Sequence, residues 1–276
     1  MSIRENAISL SIFIITSAVV GCLYVQPSYS DKVPDGYGMI GWEMPIIHSD
    51  GWVSFDFVAY DPLIDERTLT ELRADANIPR SGFFYNLTEG ICNTCTPKGL
   101  QPTVDMLDGQ IAKAEERTGH VYGDDDIILV IYNFVCTAID YKDDGTLYGC
   151  PEYWATPAET LWAGKGDCED TAILFVTLCR LYGFDAVIFM EVEHTLAGVI
   201  CGLEGVEKDG YVLAECTYDT FSRGKLSDIR EDYDAYPIKF SPTGRALAGL
   251  CAYLESWGRF VHGIKDALIS PINTEG

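Results

Sequence analysis

The sequence predicts an α+β fold in which helices pack on an antiparallel sheet, preceded by an N-terminal membrane or signal segment. Three observations carry that prediction. Apolar residues recur every three or four positions over roughly 103–118 and 124–140, the stripe of a half-buried helix. Short β-branched runs follow at about 185–191, 194–201 and 211–217. Helices first and strands afterwards differ from the strict alternation of a parallel α/β protein. Ahead of both lies Ala7–Val25, a nearly continuous apolar run.

The apolar run is the first element to justify. No charged residue occurs from Asn6 to Ser30, with Arg4 before the run and Asp31 after it. About 20 apolar residues suffice to span a bilayer as a helix, and a basic residue on the near side favours cytoplasmic retention of that end. Three fates fit: a retained anchor, cleavage after Ser28-Tyr29-Ser30, or lipid modification of Cys22 in Val19-Val20-Gly21-Cys22. All three place the chain after residue 30 outside the cytoplasm, secreted or anchored.

The remaining boundaries are 31–102 for a Gly/Pro-rich, partly stranded region, 103–240 for the catalytic domain, and 241–276 for a terminal helix packing on it. Within the first, Gly51–Val58 alternates as a half-buried strand. The second helix opens on Asp124-Asp125-Asp126, favourable at a helix N-terminus. A third helix is expected over 168–182, closed by Gly183. Ser241-Pro242 opens the last helix, whose apolar residues Leu247, Leu250, Leu254, Trp257, Val261, Ile264 and Leu268 recur at three or four.

Composition narrows the partners. There are 42 acidic and 19 basic residues among 276, for a net charge of −23. Such a field repels phosphate backbones and anionic membranes, so nucleic acid is excluded as a partner and membrane contact is confined to the N-terminal segment. A hydrophobic share of 47% supports a packed core. Of the ten cysteines only Cys92-Asn93-Thr94-Cys95 forms a CxxC. With no second pair and no histidine pair it reads as a disulfide loop rather than a zinc site. Cys136 and Cys179 fall on apolar helix faces.

Chemistry concentrates in Gly164–Leu174. Two glycines permit a tight loop into a helix, Asp167 is a candidate N-cap with Asp170 three residues on, and Cys168 then lies in the first turn. Unpaired N–H groups and the helix dipole favour a thiolate there, while Asp167, Glu169 and Asp170 oppose it, so a nearby cation is required. His194, at a strand end, is the best placed of the four histidines. Strands 194–201 and 211–217 read as a hairpin, and pairing His194 with Glu215 centres its turn on Glu204-Gly205. Asp219 shares strand parity with Glu215, and only one of the two acids orients the imidazole.

The runs Phe134-Val135-Cys136, Tyr141-Lys142-Asp143, Tyr153–Leu161, Gly166-Asp167-Cys168-Glu169-Asp170, Leu181–Ala186, Glu193-His194 and Tyr211–Thr217 resemble the microbial transglutaminase-like superfamily of papain-fold thiol enzymes. The resemblance covers about 125–240. It implies a papain-like or transglutaminase-like core and a triad of Cys168, His194 and Glu215, the acid-x-Thr ending favouring Glu215 over Asp219. Many relatives have a glutamine, an apparent oxyanion donor, where this chain has Cys136; Trp154 and Trp162 are the other cleft candidates.

The activity so implied is acyl transfer at an amide through a cysteine thioester, resolved by water in a peptidase or by an amine in a transglutaminase. The substrate is then a protein, a peptide or a cell-envelope polymer, and no cofactor is needed. A competing class is a catalytically inactive, membrane-tethered domain that binds peptides or scaffolds partners, with Cys168 held in a disulfide. A metal centre of His194, Cys168 and Glu215 has acceptable ligand types but no HxxxH or second CxxC behind it, and no metal is expected.

Overall fold

The computed structural model describes residues 38–75, 94–191, 194–217, 224–226 and 236–238, together with Gly36 and Ile229. The N-terminal apolar run, Cys92, Asp219 and the terminal helix of 241–276 lie outside the described residues. Among the described residues, no helix is long and apolar enough to cross a membrane.

The first described element is β1 (Ile40–Ile47), paired antiparallel with β2 (Val53–Tyr60) so that Ile40 faces Tyr60 and Ile47 faces Val53. β2 carries the alternation legible in the sequence. β1 is buried on both faces only from Met44 to Ile47, which removes the alternation there, and contains Pro45, which removes a ladder donor. α1 (Glu66–Asp75) follows. α2 (Gln101–Thr118) has Pro102 in its first turn and stops at Gly119, whose φ of 69° is a left-handed cap that costs glycine nothing.

α3 (Asp124–Ala138) starts where Asp126 accepts from the Gly123 N–H at 3.2 Å and meets His120 Nε2 at 2.9 Å. It ends two residues before the expected 140, because Asp140–Tyr141 leave as β3 to pair in parallel with β4 (Lys165–Gly166). Two short helices, α4 (Asp144–Leu147) and α5 (Pro157–Ala163), occupy the interval. The second has a capping box of Thr156 and Glu159, a signal present in the sequence as Thr-x-x-Glu.

α6 (Cys168–Leu181) is the central helix, buried without a break from Glu169 to Cys179. It lies against a five-stranded sheet of β5 (Ala186–Glu191), β6 (His194–Val199), β7 (Glu207–Lys208), β8 (Tyr211–Ala214) and β9 (Tyr236–Ile238). The order is β7-β8-β6-β5-β9, antiparallel at every described pairing. α3 packs beside α6 through an edge-to-face contact of Tyr132 and Phe175, and carries the β1–β2 hairpin on Trp42 and Phe134. Each such fully buried side chain contributes about 1.5–3 kcal/mol.

One expected register is corrected. β6 and β8 pair Ala197 with Ala214 and Val199 with Val212, so the same register carried one residue further sets Leu196 against Glu215 and three residues further sets His194 against Thr217. The chain does not turn directly from β6 to β8. It first inserts β7, and the tight turn is Asp209-Gly210, with φ of 53° and 83°. Positive φ at both central positions is the type I′ signature of a two-residue hairpin, for which Asp-Gly is the favoured sequence. The shift is two residues, so strand parity is kept and Glu215 remains on the face of His194.

Candidate active site

The site is assembled from three element ends. α5 closes at Gly164 in the left-handed region (φ 59°), and the two-residue β4 leads directly to Asp167 and the start of α6. Gly166 is required there, since a Cβ would stand 2.6 Å from the Asp170 Cβ. Cys168 is the first helical residue, half-buried. In that first turn the N–H groups have no intrahelical acceptor, which makes it an anion-stabilising position. Asp167 occupies the N-cap but makes no side-chain cap hydrogen bond, and Asp170 Oδ1 instead accepts from the Ala155 N–H at 2.8 Å.

His194 opens β6, and its Nε2 lies 2.5 Å from Glu215 Oε2. The imidazole also shares a side-chain hydrogen bond with Cys168, for which Nδ1 is the ring nitrogen left. Glu215 is 5% exposed and doubly held. Its Oε1 accepts from the Thr217 N–H at 3.0 Å and the Thr217 hydroxyl at 2.5 Å, while its backbone carbonyl accepts from the Tyr132 hydroxyl at 2.8 Å. The structure thus brings Cys168, His194 and Glu215 into one hydrogen-bonded chain.

Charge follows from this geometry. Burial opposes an imidazolium, but the bonds to Cys168 and Glu215 outweigh it and push His194 up to about 10. Burial likewise raises Glu215, yet His194 and Thr217 bring it below the ordinary carboxylate value. Since the folded His194 value exceeds 6.5, its contribution to stability is complete below 6.5 and is lost as pH rises through about 10. The Glu215 contribution is present above 4.5 and lost as pH falls further. Chemical denaturation of the wild type minus His194→Gln should therefore show a difference that is largest between 4.5 and 6.5 and shrinks toward about 10. A difference independent of pH across that range would mean no such ion pair exists.

The acids next to the thiol behave differently from the sequence expectation. Read as charges, Asp167, Glu169 and Asp170 oppose a thiolate. In the fold, burial above all holds Glu169 and Asp170 well above the carboxylate range, Asp167 at about 6 and Asp144 at about 8. Cys168 adds to the rise at Glu169 and Asp167 to that at Asp170 and Asp144, while a Glu169 hydrogen bond works against it at Asp167. The charged forms of Glu169 and Asp170 are thus disfavoured, which lessens their opposition to a thiolate. Cys168 Sγ donates to Glu169 Oε2 at 3.0 Å, and a protonated Glu169 can return that hydrogen bond to a thiolate.

Asp144, Asp167 and Glu169 bring carboxylate oxygens within 4.8 Å of one another. Oδ1 of Asp144 and of Asp167 has no hydrogen-bond partner among the described residues. These are hard oxygen donors of the kind a divalent cation takes, unlike the His194, Cys168 and Glu215 set weighed from sequence.

The other sequence candidates fall around the triad. Cys136, half-buried on α3, directs its thiol to the Glu215 carbonyl oxygen at 4.0 Å, on the acid side of the chain of bonds. Trp154 is 3% exposed and spends its indole N–H on Glu152 Oε1 at 2.7 Å. Trp162 is half-buried and lies against Gly36. Asp219 lies outside the described residues. Sequence reasoning missed Tyr132 and Glu152 as site residues. Glu152 reaches Glu169 through a side-chain hydrogen bond. Only the Glu-x-Thr spacing hinted that Thr217 would hold Glu215.

No curated protein matches the chain. The family model of the transglutaminase-like superfamily matches residues 111–223, a segment that runs from the second half of α2 past Glu215 and includes Cys168 and His194. Over residues 111–223 the chain is similar to the transglutaminase-like superfamily.

Proposed function

We propose that the protein is an extracytoplasmic thiol enzyme that transfers an acyl group from an amide through a Cys168–His194–Glu215 triad. The observation that carries this reading is the continuous chain of hydrogen bonds from the Cys168 thiol through His194 to a buried Glu215. The superfamily match supports the general class, which includes cysteine peptidases and acyltransferases. The apolar run at 7–25 supports the location.

In this mechanism His194 holds the thiol proton, so that Cys168 meets the carbonyl as a thiolate. The S–C bond forms as the carbonyl π electrons move to oxygen, and N–H groups of the first turn of α6 face the resulting oxyanion. Collapse expels the amine, which takes the proton from His194 and leaves a thioester on Cys168. Water or a second amine, deprotonated by His194, then attacks the thioester and regenerates the thiol. Glu215 fixes the ring orientation and stabilises the imidazolium throughout, itself fixed by Thr217 and Tyr132.

A chromogenic acetyl ester tests the reading without knowledge of the natural substrate. Acid-quenched mass spectra should show a single acetyl adduct on Cys168 that hydroxylamine removes, and Cys168→Ala should show none. Acetylation spread over several cysteines at equal rates would refute a built nucleophile and favour a binding module.

A further inference from the structure

The β1–β2 hairpin turns one face to the core, where Ile40, Trp42, Met44 and Ile46 are buried. Side chains alternate along a strand, so the odd-numbered residues of both strands share the other face. On β2 that face is open and wholly apolar. Phe57 is 76% exposed there, with Phe55 and Ala59 exposed beside it. The Phe57 ring reaches across to Gly41, where a Cβ would stand 2.6 Å from it. Glu43, opposite Phe57, is the one charged residue among the eight on this face.

Apolar surface continues at both ends of the hairpin. Trp52, in the turn, is 62% exposed, and Met39, just before β1, is 55% exposed. Leu63 leaves from the same end as Met39, since Ile40 pairs with Tyr60. It is 70% exposed at a φ of 55°, with its N–H donating to Asp61 Oδ1 at 2.8 Å. The left-handed region suits glycine and disfavours a side chain. A leucine kept there with its side chain in solvent points to a use for that side chain.

The hairpin is fixed to the rest of the fold. The Glu43 N–H donates to Thr137 Oγ1 at 3.1 Å, Asn133 Nδ2 donates to the Glu43 carbonyl, and the Ile47 N–H donates to the Tyr122 hydroxyl at 2.8 Å. Thr137 and Asn133 belong to α3, the helix whose Tyr132 holds the Glu215 carbonyl. Whatever orients the hairpin therefore orients the triad. Chain length indicates what that is. Only residues 26–38 separate the apolar run from Met39, no more than about 50 Å of extended chain. Among the described elements, the hairpin is the one tethered nearest to a bilayer holding that run. The net charge of −23 opposes anionic lipid, whereas an aromatic face with a single charge suits a zwitterionic interface.

We propose that the open face of the β1–β2 hairpin, with Trp52, Phe57 and Leu63, lies on the surface of a zwitterionic bilayer and sets the triad at a fixed height above it. The inference goes beyond acyl transfer and does not depend on the triad chemistry. It rests on the proposed extracytoplasmic location with the apolar run retained.

The test uses the full chain in phosphatidylcholine vesicles that contain a phosphatidylcholine with a photoactivatable diazirine near the glycerol end of an acyl chain. After illumination, lipid adducts are mapped by peptide mass spectrometry. Adducts should appear on the apolar run and again over 52–63. The hairpin-to-run ratio should fall by several-fold in Phe57→Asp, and also in Leu63→Gly, which removes the side chain where the backbone already suits glycine. Both variants should unfold at the wild-type temperature in detergent. Leu181 and Ile200, exposed apolar residues of α6 and the end of β6, should stay unlabelled.

Adducts confined to the apolar run of a chain that floats with the vesicles overturn the hairpin contact and leave the location standing. A chain that does not float overturns both. Equal labelling of Leu181 and Ile200, or hairpin labelling that Phe57→Asp leaves unchanged, marks chance collision and overturns the contact. A hairpin shielded from label, in a dimer that Phe57→Asp dissociates, assigns the face to a second copy instead.

Discussion

Replacing His194 with glutamine is expected to lower ester and amide turnover by about ten-thousandfold or more, the loss seen when the base of a nucleophilic triad is removed. In the proposed cycle His194 performs two transfers, taking the proton of Cys168 and giving it to the departing amine. Glutamine keeps a side chain of similar reach on β6 but cannot carry a proton at either step. It also removes the imidazolium that shares a hydrogen bond with the thiol. Steady-state turnover of the ester at about pH 7, with circular dichroism to verify the fold, measures the effect. A variant retaining a tenth of wild-type turnover would place the base elsewhere.

Glu215→Gln should lower turnover by about a thousandfold to ten-thousandfold while the fold persists. The carboxylate lies 2.5 Å from His194 Nε2 and is 5% exposed, so its charge acts on the imidazolium with little solvent between. The neutral amide can present an N–H where the ring also needs to donate, which disfavours the required tautomer. Thr217→Val removes the 2.5 Å bond to Glu215 Oε1 but leaves the backbone N–H in place, and should cost far less. Asp219→Asn serves as the comparison. If Asp219→Asn proves more damaging than Glu215→Gln, the acid of the triad is Asp219.

Much of this site was legible in local sequence. The two glycines before Cys168, the helix start and the strand end at His194 are properties of a few consecutive residues. The acid followed by Thr217 was equally local, and its strand parity survived a two-residue error in register, because parity alone decides which face Glu215 occupies. Three features were illegible for a common reason. Tyr132 bonds to the Glu215 carbonyl across 83 positions of chain, and no periodicity encodes such a pair. The rise of Glu169 and Asp170 depends on burial by elements far apart in sequence, so three acids beside a thiol read as full charges when burial disfavours the charged form of two. β1 was hidden because Met44–Ile47 are buried on both faces, which erases the alternation by which strands are recognised.

Alkylation of Cys168 by iodoacetamide across pH, located by mass spectrometry, tests the thiolate–imidazolium pair most directly. With His194 pushed up to about 10, an imidazolium stands beside Cys168 through neutral pH and should raise its alkylation rate. At about pH 7 it should exceed that of a free thiol, which is only a few per cent ionised there. In His194→Gln that excess over the free thiol should disappear. A wild-type rate at about pH 7 no greater than the free thiol's and unchanged by His194→Gln, or recovery of Cys168 in a disulfide, would contradict the account.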